Sequence, residues 1–358
     1  MSEKLRVAVL FGGRSQEHEV SVVSAASVIA AIPRDRYDVV SIGVDTSGRW
    51  HLLPGPPQLE AGAGALPGVD PAQGEEVALA REAGARALVR AGGDQEPIDV
   101  VFPVLHGPFG EDGTVQGLLE LAGIPYVGAG VLASAVGMDK AVAKVLFAAA
   151  GLPLVAWEAV SEREWREDPE SVAARAKALG LPTFVKPAAL GSSVGITKVG
   201  DEDDLGAALD EALRYGRKAI VEAAAEGARE IECAVLGNDD PVASVAGEII
   251  PAGEFYDYRA KYLDDATELI VPADLPPETV EEIQRMSIAA FRAIDCAGMA
   301  RVDFFVQGAR VVLNEINTIP GFTSVSMYPK LWEASGVPYP ELIDRLLRLA
   351  LERHGGPA

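Results

Sequence analysis

Cysteine is nearly absent from this chain, with Cys233 and Cys296 the only two in 358 residues. Two isolated thiols make neither a disulfide framework nor a CxxC metal site. Buried free thiols in a reducing compartment are therefore expected. Basic charge is scarce as well: 31 Lys and Arg stand against 53 Asp and Glu, a net charge of −22. That argues against nucleic-acid and anionic-membrane partners, which need a basic surface. It leaves room for a nucleotide, because a local cluster of cations can sit inside an acidic molecule. Long apolar runs are missing too. The run Val7 to Phe11 is too short for a signal segment or a membrane span, and no later run is long enough, so a cytoplasmic protein is expected. The first strand is not followed by GxGxxG, which disfavours a dinucleotide oxidoreductase, and no Walker A loop is found.

What remains is an ordinary globular balance, 49% hydrophobic and 23% charged. The length suits two or three domains of about 100–200 residues each. Val7 to Phe11 is apolar throughout, as in a strand buried on both faces. A turn at Gly12-Gly13-Arg14-Ser15 leads to a helix over about 17–31, with a Ser21, Ser24, Ser27 stripe, and then a strand over 37–44. Strand, helix, strand opens a doubly wound α/β domain. The stretch 54–93 is rich in Ala, Gly, Pro and Glu and reads as a surface insertion with a short helix. A strand follows at 98–103, then a helix after Asp112-Gly113. Ser134 is expected to cap the next helix, with Met138, Val142, Val145, Leu146 and Ala149 on its apolar face. Further on, a helix is expected at 169–179, strands at 183–186, 219–222 and 230–235, and a helix with Ile283, Met286, Ala290, Phe291 and Ile294 inward. The chain closes with a hairpin, 302–306 and 311–316, and an amphipathic helix carrying Ile343, Leu346, Leu347 and Ala350.

The hairpin carries the strongest chemical signal. Glu315 and Asn317 are two apart on a strand and share a face. With a loop at Gly308-Ala309-Arg310, Asp303 lies opposite Glu315. Two carboxylates and an amide oxygen then converge, the oxygen-rich set a hard divalent cation prefers. Without a cation, two such acids among apolar neighbours would repel each other and be costly to desolvate. A second signal is Thr183-Phe184-Val185-Lys186-Pro187 followed by Gly191-Ser192-Ser193-Val194-Gly195. Here a strand delivers a lysine beside a Gly/Ser loop whose N–H groups can wrap phosphate oxygens. Lys140 and Lys144, at i and i+4 on one helix face, offer further positive charge to that site, although in isolation they read as solvated cations. A third is Phe255 to Tyr262, where aromatics and charges alternate as in a lid bringing Lys261 and Tyr262 onto a ligand. Glu17 and His106 lie at the carboxyl ends of two strands, where open α/β sheets bind ligands.

Taken in order, these motifs resemble the D-alanine–D-alanine ligase family. The resemblance runs through Gly12-Gly13 to Glu17-His18-Glu19-Val20-Ser21, Leu105-His106-Gly107 to Gly110-Glu111-Asp112-Gly113, and Met138-Asp139-Lys140. It continues through Val185-Lys186-Pro187, Tyr256-Asp257-Tyr258 to Lys261-Tyr262, Arg301-Val302-Asp303, and Glu315-Ile316-Asn317-Thr318 to Pro320-Gly321. It implies an N-terminal α/β domain over 1–130 and a two-part ATP-grasp fold over 131–222 and 223–358. It implies ATP as substrate, Mg²⁺ or Mn²⁺ as two ions held by Asp303, Glu315 and Asn317, and a homodimer. Lys140, Lys186 and Lys261 would neutralise phosphates, and Glu222 and Glu230 would contact adenine and ribose. Glu17, Ser192 and Tyr262 would form a triad that ties the lid shut, with Glu17 also taking the first substrate's ammonium near His106. Arg301 and the Gly321 N–H would stabilise an oxyanion, and Ser326 with the Met327 backbone would receive the second substrate's carboxylate.

The expected activity is ATP-dependent joining of two D-alanines through a D-alanyl phosphate. Ligases that make D-alanyl-D-lactate or D-alanyl-D-serine are the nearest alternative. A non-catalytic nucleotide-binding regulator is a more distant one, disfavoured because a mere binder has little need for a full metal site.

Overall fold

The computed structural model describes residues 4–59, 67–80, 82, 84–191, 194–250 and 267–355. Ser192 and the whole expected lid, Phe255 to Tyr262 with Lys261, therefore lie outside the described residues. Three sheets organise the rest. In the first, Leu5–Gly12 lies parallel between Tyr37–Val44 and Val100–Pro103. Val7 to Phe11 are fully buried, as an all-apolar central strand requires. The helix His18–Ala31 packs on this sheet.

The insertion departs from expectation. Trp50–Leu53, Glu75–Leu79, Ala87–Arg90 and Gln95–Pro97 extend the first sheet as antiparallel strands, bringing it to seven. Its only described helical turn is Pro71–Gln73. Pairing to an existing sheet edge satisfies the backbone of a segment too poor in large apolar residues to pack as a helix. Val77 and Leu88 supply its share of the core.

The second sheet has four strands in the order Thr197–Val199, Thr183–Pro187, Lys218–Ala223, Trp157–Ser161. The third has five: Glu268–Ile270, Val242–Ile250, Arg229–Gly237, Gly298–Gln307, Arg310–Asn317. The hairpin loop is shorter than expected, since Gln307 already pairs with Arg310. Phe304 pairs with Leu313 but Asp303 pairs with Glu315, so Asn314 is an extra residue in a β-bulge. The bulge restores the pairing that the longer loop would have given.

Between the first and second sheets the expected single helix is two. Val131–Met138 ends at Asp139, whose carboxylate accepts from Val142 N at 3.1 Å and caps Lys140–Ala149. Ser134 is buried within the first of these rather than capping it, and Gly130 occupies the cap position. The second helix also presents the opposite face from that expected. Val142 and Val145 are exposed, whereas Ala143, Lys144 and Phe147 are buried.

The C-terminal helix Tyr339–Arg353 packs against both the first helix and Val100–Pro103. One apolar cluster thus joins the N-terminal sheet to the third, while the second sheet keeps its own. No helix among the described residues is long and apolar enough to cross a membrane.

Candidate active site

Two cavities open where the three sheets approach one another, of about 470 and 280 Å³. They share Lys140, Gly191, Glu232, Arg301 and Glu315. The larger is walled by the second and third sheets and takes in Lys186, Glu222, Glu230 and Asp303. The smaller lies against the N-terminal domain and takes in Glu17, His106, Asn317, Gly321, Ser326 and Met327.

On the larger side, Lys186 projects from Thr183–Pro187 and donates to Glu222 Oε2 at 2.7 Å. Glu222 Oε1 stands 2.9 Å from Lys144 Nζ, a contact of charge rather than an aligned hydrogen bond. Burial alone would raise the Glu222 carboxyl, but the two ammoniums outweigh it and hold its pKa at about 2. Burial likewise opposes the Lys186 charge, yet the Glu222 and Glu315 carboxylates raise its pKa. Lys140 donates to the Leu190 carbonyl at 3.0 Å and lies 3.3 Å from Glu315. These contacts anchor the Gly/Ser loop to the hairpin.

The hairpin sets a row of acids across three adjacent strands. Glu232 pairs with Asp303, and Asp303 with Glu315. Arg301 spans the row: its guanidinium donates to Asp303 at 2.8 and 2.7 Å and stands 3.0 Å from Glu232. Asn317, paired with Arg301, accepts from Ile319 N through Oδ1 at 3.2 Å. Among the described residues no three His, Cys, Asp or Glu converge on one metal position. The donor set in the hairpin is instead two carboxylates and an amide oxygen on paired strands, beside the ammoniums of Lys140 and Lys186. That chemistry fits a hard divalent cation whose remaining positions are filled by phosphate oxygens.

On the smaller side, Glu17 precedes the first helix and points between two glycine loops. A Cβ on Gly107 would come within 2.7 Å of its carboxylate, and one on Gly191 within 3.6 Å. Glu17 thus lies beside the loop that carries Ser192. His106 is buried, with Nε2 3.3 Å from Ser24 Oγ and Nδ1 3.4 Å from Glu111. Burial works against its proton, but Glu111 and Glu17 outweigh that and raise its pKa. The serine stripe gains a role here: Ser21 accepts from Gly12 N and donates to the Val104 carbonyl, pinning two strand ends. Ser326 precedes the helix Met327–Ala334, and its hydroxyl accepts from Thr323 N at 3.1 Å.

Every described residue expected at the site lines one of the two cavities. Sequence reasoning assigns no role to Glu111 or Glu232 and offers Lys144 only as further positive charge. Glu111 stands within a motif already quoted, and Glu232 lies two residues beyond Glu230 on the same strand face, a periodicity that could have found it.

Residues 6–129 match the family model for the N-terminus of D-Ala-D-Ala ligase, and residues 146–348 match that for its C-terminus. The chain is 50% identical over 368 residues to the D-alanine–D-alanine ligase of Acetivibrio thermocellus, covering 99% of this chain and 98% of the relative. It is 50% identical over 352 residues to that of Deinococcus radiodurans, covering 98% and 99%. Among solved structures it resembles the D-alanine-D-alanine ligase from Coxiella burnetii, with TM-score 0.86, 40% identity, and 99% and 96% of the two chains covered. It also resembles the VanG D-Ala:D-Ser ligase from Enterococcus faecalis, with TM-score 0.84, 34% identity, and 97% and 100% covered.

Proposed function

The chain belongs to the D-alanine–D-alanine ligase family, and from that premise we propose how its own residues carry the reaction. It is an ATP-dependent ligase of the ATP-grasp fold that joins two D-alanines for peptidoglycan precursors. The observation that carries the assignment of residues is the meeting of the two cavities at one row of acids and cations. A carboxylate entering from the smaller side and a γ-phosphate entering from the larger would come together there.

A carboxylate is a poor acyl donor until one of its oxygens becomes a leaving group. In the first step a carboxylate oxygen of the first D-alanine attacks the γ-phosphorus, and ADP leaves. Glu17 takes that substrate's ammonium. Lys140, Lys186 and Lys261 offset phosphate charge, which matters more in phosphoryl transfer than covalent help. Asp303, Glu315 and Asn317 would hold a divalent cation, which when bound would neutralise charge developing on the phosphates. In the second step the amine of the second D-alanine attacks the acyl carbon, and phosphate departs. Arg301 and the Gly321 N–H would receive the tetrahedral oxyanion, a single such donor being worth about 3 kcal/mol. Ser326 and the Met327 backbone would take the second carboxylate. Glu17, Ser192 and Tyr262 would join lid and site.

The test is phosphate release from ATP and Mg²⁺ with D-alanine, L-alanine, or D-alanine plus D-serine or D-lactate, with products weighed. Release confined to D-alanine, with a dipeptide mass, is expected. A dominant mixed product in the competition would move the acceptor assignment to D-serine or D-lactate.

A further inference from the structure

Lys144 is the buried cation that this chemistry leaves unused. Its side chain is 1% exposed, among Ala141, Ala143 and Phe147 on the inner face of Lys140–Ala149. It lines neither cavity, whereas its partner Glu222 and the neighbouring Lys186 line the larger one. A methionine would fill the same space without the cost of desolvating an ammonium. Two contacts show what the charge does. Lys144 Nζ stands 2.9 Å from Glu222 Oε1, opposite the oxygen that accepts from Lys186. It also donates to the carbonyl of Asn314 at 3.2 Å. Asn314 is the extra residue of the bulge that brings Glu315 opposite Asp303.

We propose that Lys144 is a positioning residue for the nucleotide's phosphates, acting through Glu222 and through the bulge beneath Glu315. Lys186 and Glu222 alone would form a neutral pair. With Lys144 the trio of two ammoniums and one carboxylate keeps a net positive charge, and of its two cations Lys186 is the one that lines the cavity. The bulge carbonyl, held by the same ammonium, fixes the register of the cation-binding strand. This rests on the reading of the larger cavity as the ATP site.

Four proteins test it: wild type, Lys144→Met, Glu222→Gln, and the double variant. Calorimetry with ATP and with adenosine gives each one's preference for the phosphorylated ligand. Adenosine divides out any role of Glu222 at the ribose or adenine. Lys144→Met should lose roughly 10- to 100-fold of that preference, as expected for one charge removed near phosphate in a partly buried site. The double variant should regain most of it, because Lys186 is then uncompensated, and Glu222→Gln should equal or exceed wild type. A purely structural lysine predicts no such rescue. Unchanged preference in Lys144→Met, or a double variant as poor as the single one, overturns the proposal. Should the single variant not fold, the double variant is compared with Glu222→Gln. A preference lower by about tenfold supports the proposal, and an equal one overturns it. Wild type without preference for ATP would bring down the ATP reading itself, and this inference with it.

Discussion

The two cavities share Lys140 and Arg301 at one row of acids, but the cations around that row are of two kinds. Toward the larger cavity, the proposed nucleotide side, ammoniums supply positive charge: Lys140, Lys186 and, behind them, Lys144. Across the row itself the guanidinium of Arg301, which lines both cavities, spans Asp303 and Glu232. An ammonium is a compact point charge on a flexible stem and can follow a phosphoryl group between donor and acceptor. A guanidinium is a rigid planar fork that suits an oxyanion appearing at one fixed place. Under the proposed roles the two kinds of cation serve different half-reactions, so substitutions along the row should damage one half more than the other.

The largest effect is expected at Glu315, which lines both cavities. Glu315→Gln should lower turnover by roughly a thousandfold or more while the melting temperature stays near wild type, because it removes a cation ligand shared by both steps. Near-normal activity at saturating Mg²⁺ would sink the ligand assignment. Arg301→Lys should come next. It keeps the charge but loses the fork, and a loss of about 3 kcal/mol in the second half-reaction is expected. Isotope exchange between ADP and ATP in the presence of D-alanine reports the first half-reaction and should survive. Equal loss in both would remove the distinction between the cavities.

Stability should show the nucleotide side on its own. The Glu222 carboxyl is lowered from 4.5 to about 2 by Lys186 and Lys144 against the pull of burial. A depressed carboxyl adds stability that is complete above its unfolded value and is lost as the pH falls through its folded value. The trio therefore contributes on the order of 3 kcal/mol above about pH 4.5, fading toward pH 2. Melting temperatures of Glu222→Gln across pH 5 to 2 should fall less steeply than those of wild type. Parallel curves would mean that the ammoniums do not hold the carboxyl down.

The hairpin and the helix Lys140–Ala149 are unequally legible in the sequence. Alternation over 302–316 located both strands, and Asp303 was set opposite Glu315. The structure reaches that pairing with a shorter loop and a bulge at Asn314, two local departures that offset each other. The helix was read inside out. Hydrophobic periodicity makes Val142 and Val145 the expected core and Lys144 the expected surface. Yet Lys144 is buried, because Glu222 on another sheet supplies the opposite charge. Local periodicity cannot register a partner so distant in sequence. The insertion was opaque for another reason. Its strands are short, and they are held by pairing to a sheet edge rather than by an apolar face of their own.

Glu232 gives the smallest and most selective test of the comparison. In this structure Arg301 donates to both oxygens of Asp303 and stands 3.0 Å from Glu232. If Asp303 is to serve as a cation ligand, its carboxylate must be shared with that cation, and Glu232 is the second carboxylate that can retain the guanidinium. Removing its charge leaves Arg301 with Asp303 alone, so guanidinium and cation compete for one group. Glu232→Gln keeps the side chain's size and loses only the charge. It should raise the Mg²⁺ concentration for half-maximal activity by about tenfold, near 1.4 kcal/mol. The Michaelis constant for D-alanine should stay within about twofold, and the rate should recover at saturating Mg²⁺. A rate that stays low at every Mg²⁺ concentration would instead mean that Glu232 acts on the oxyanion through Arg301. An unchanged Mg²⁺ dependence with full activity would mean that Arg301 needs no second anchor.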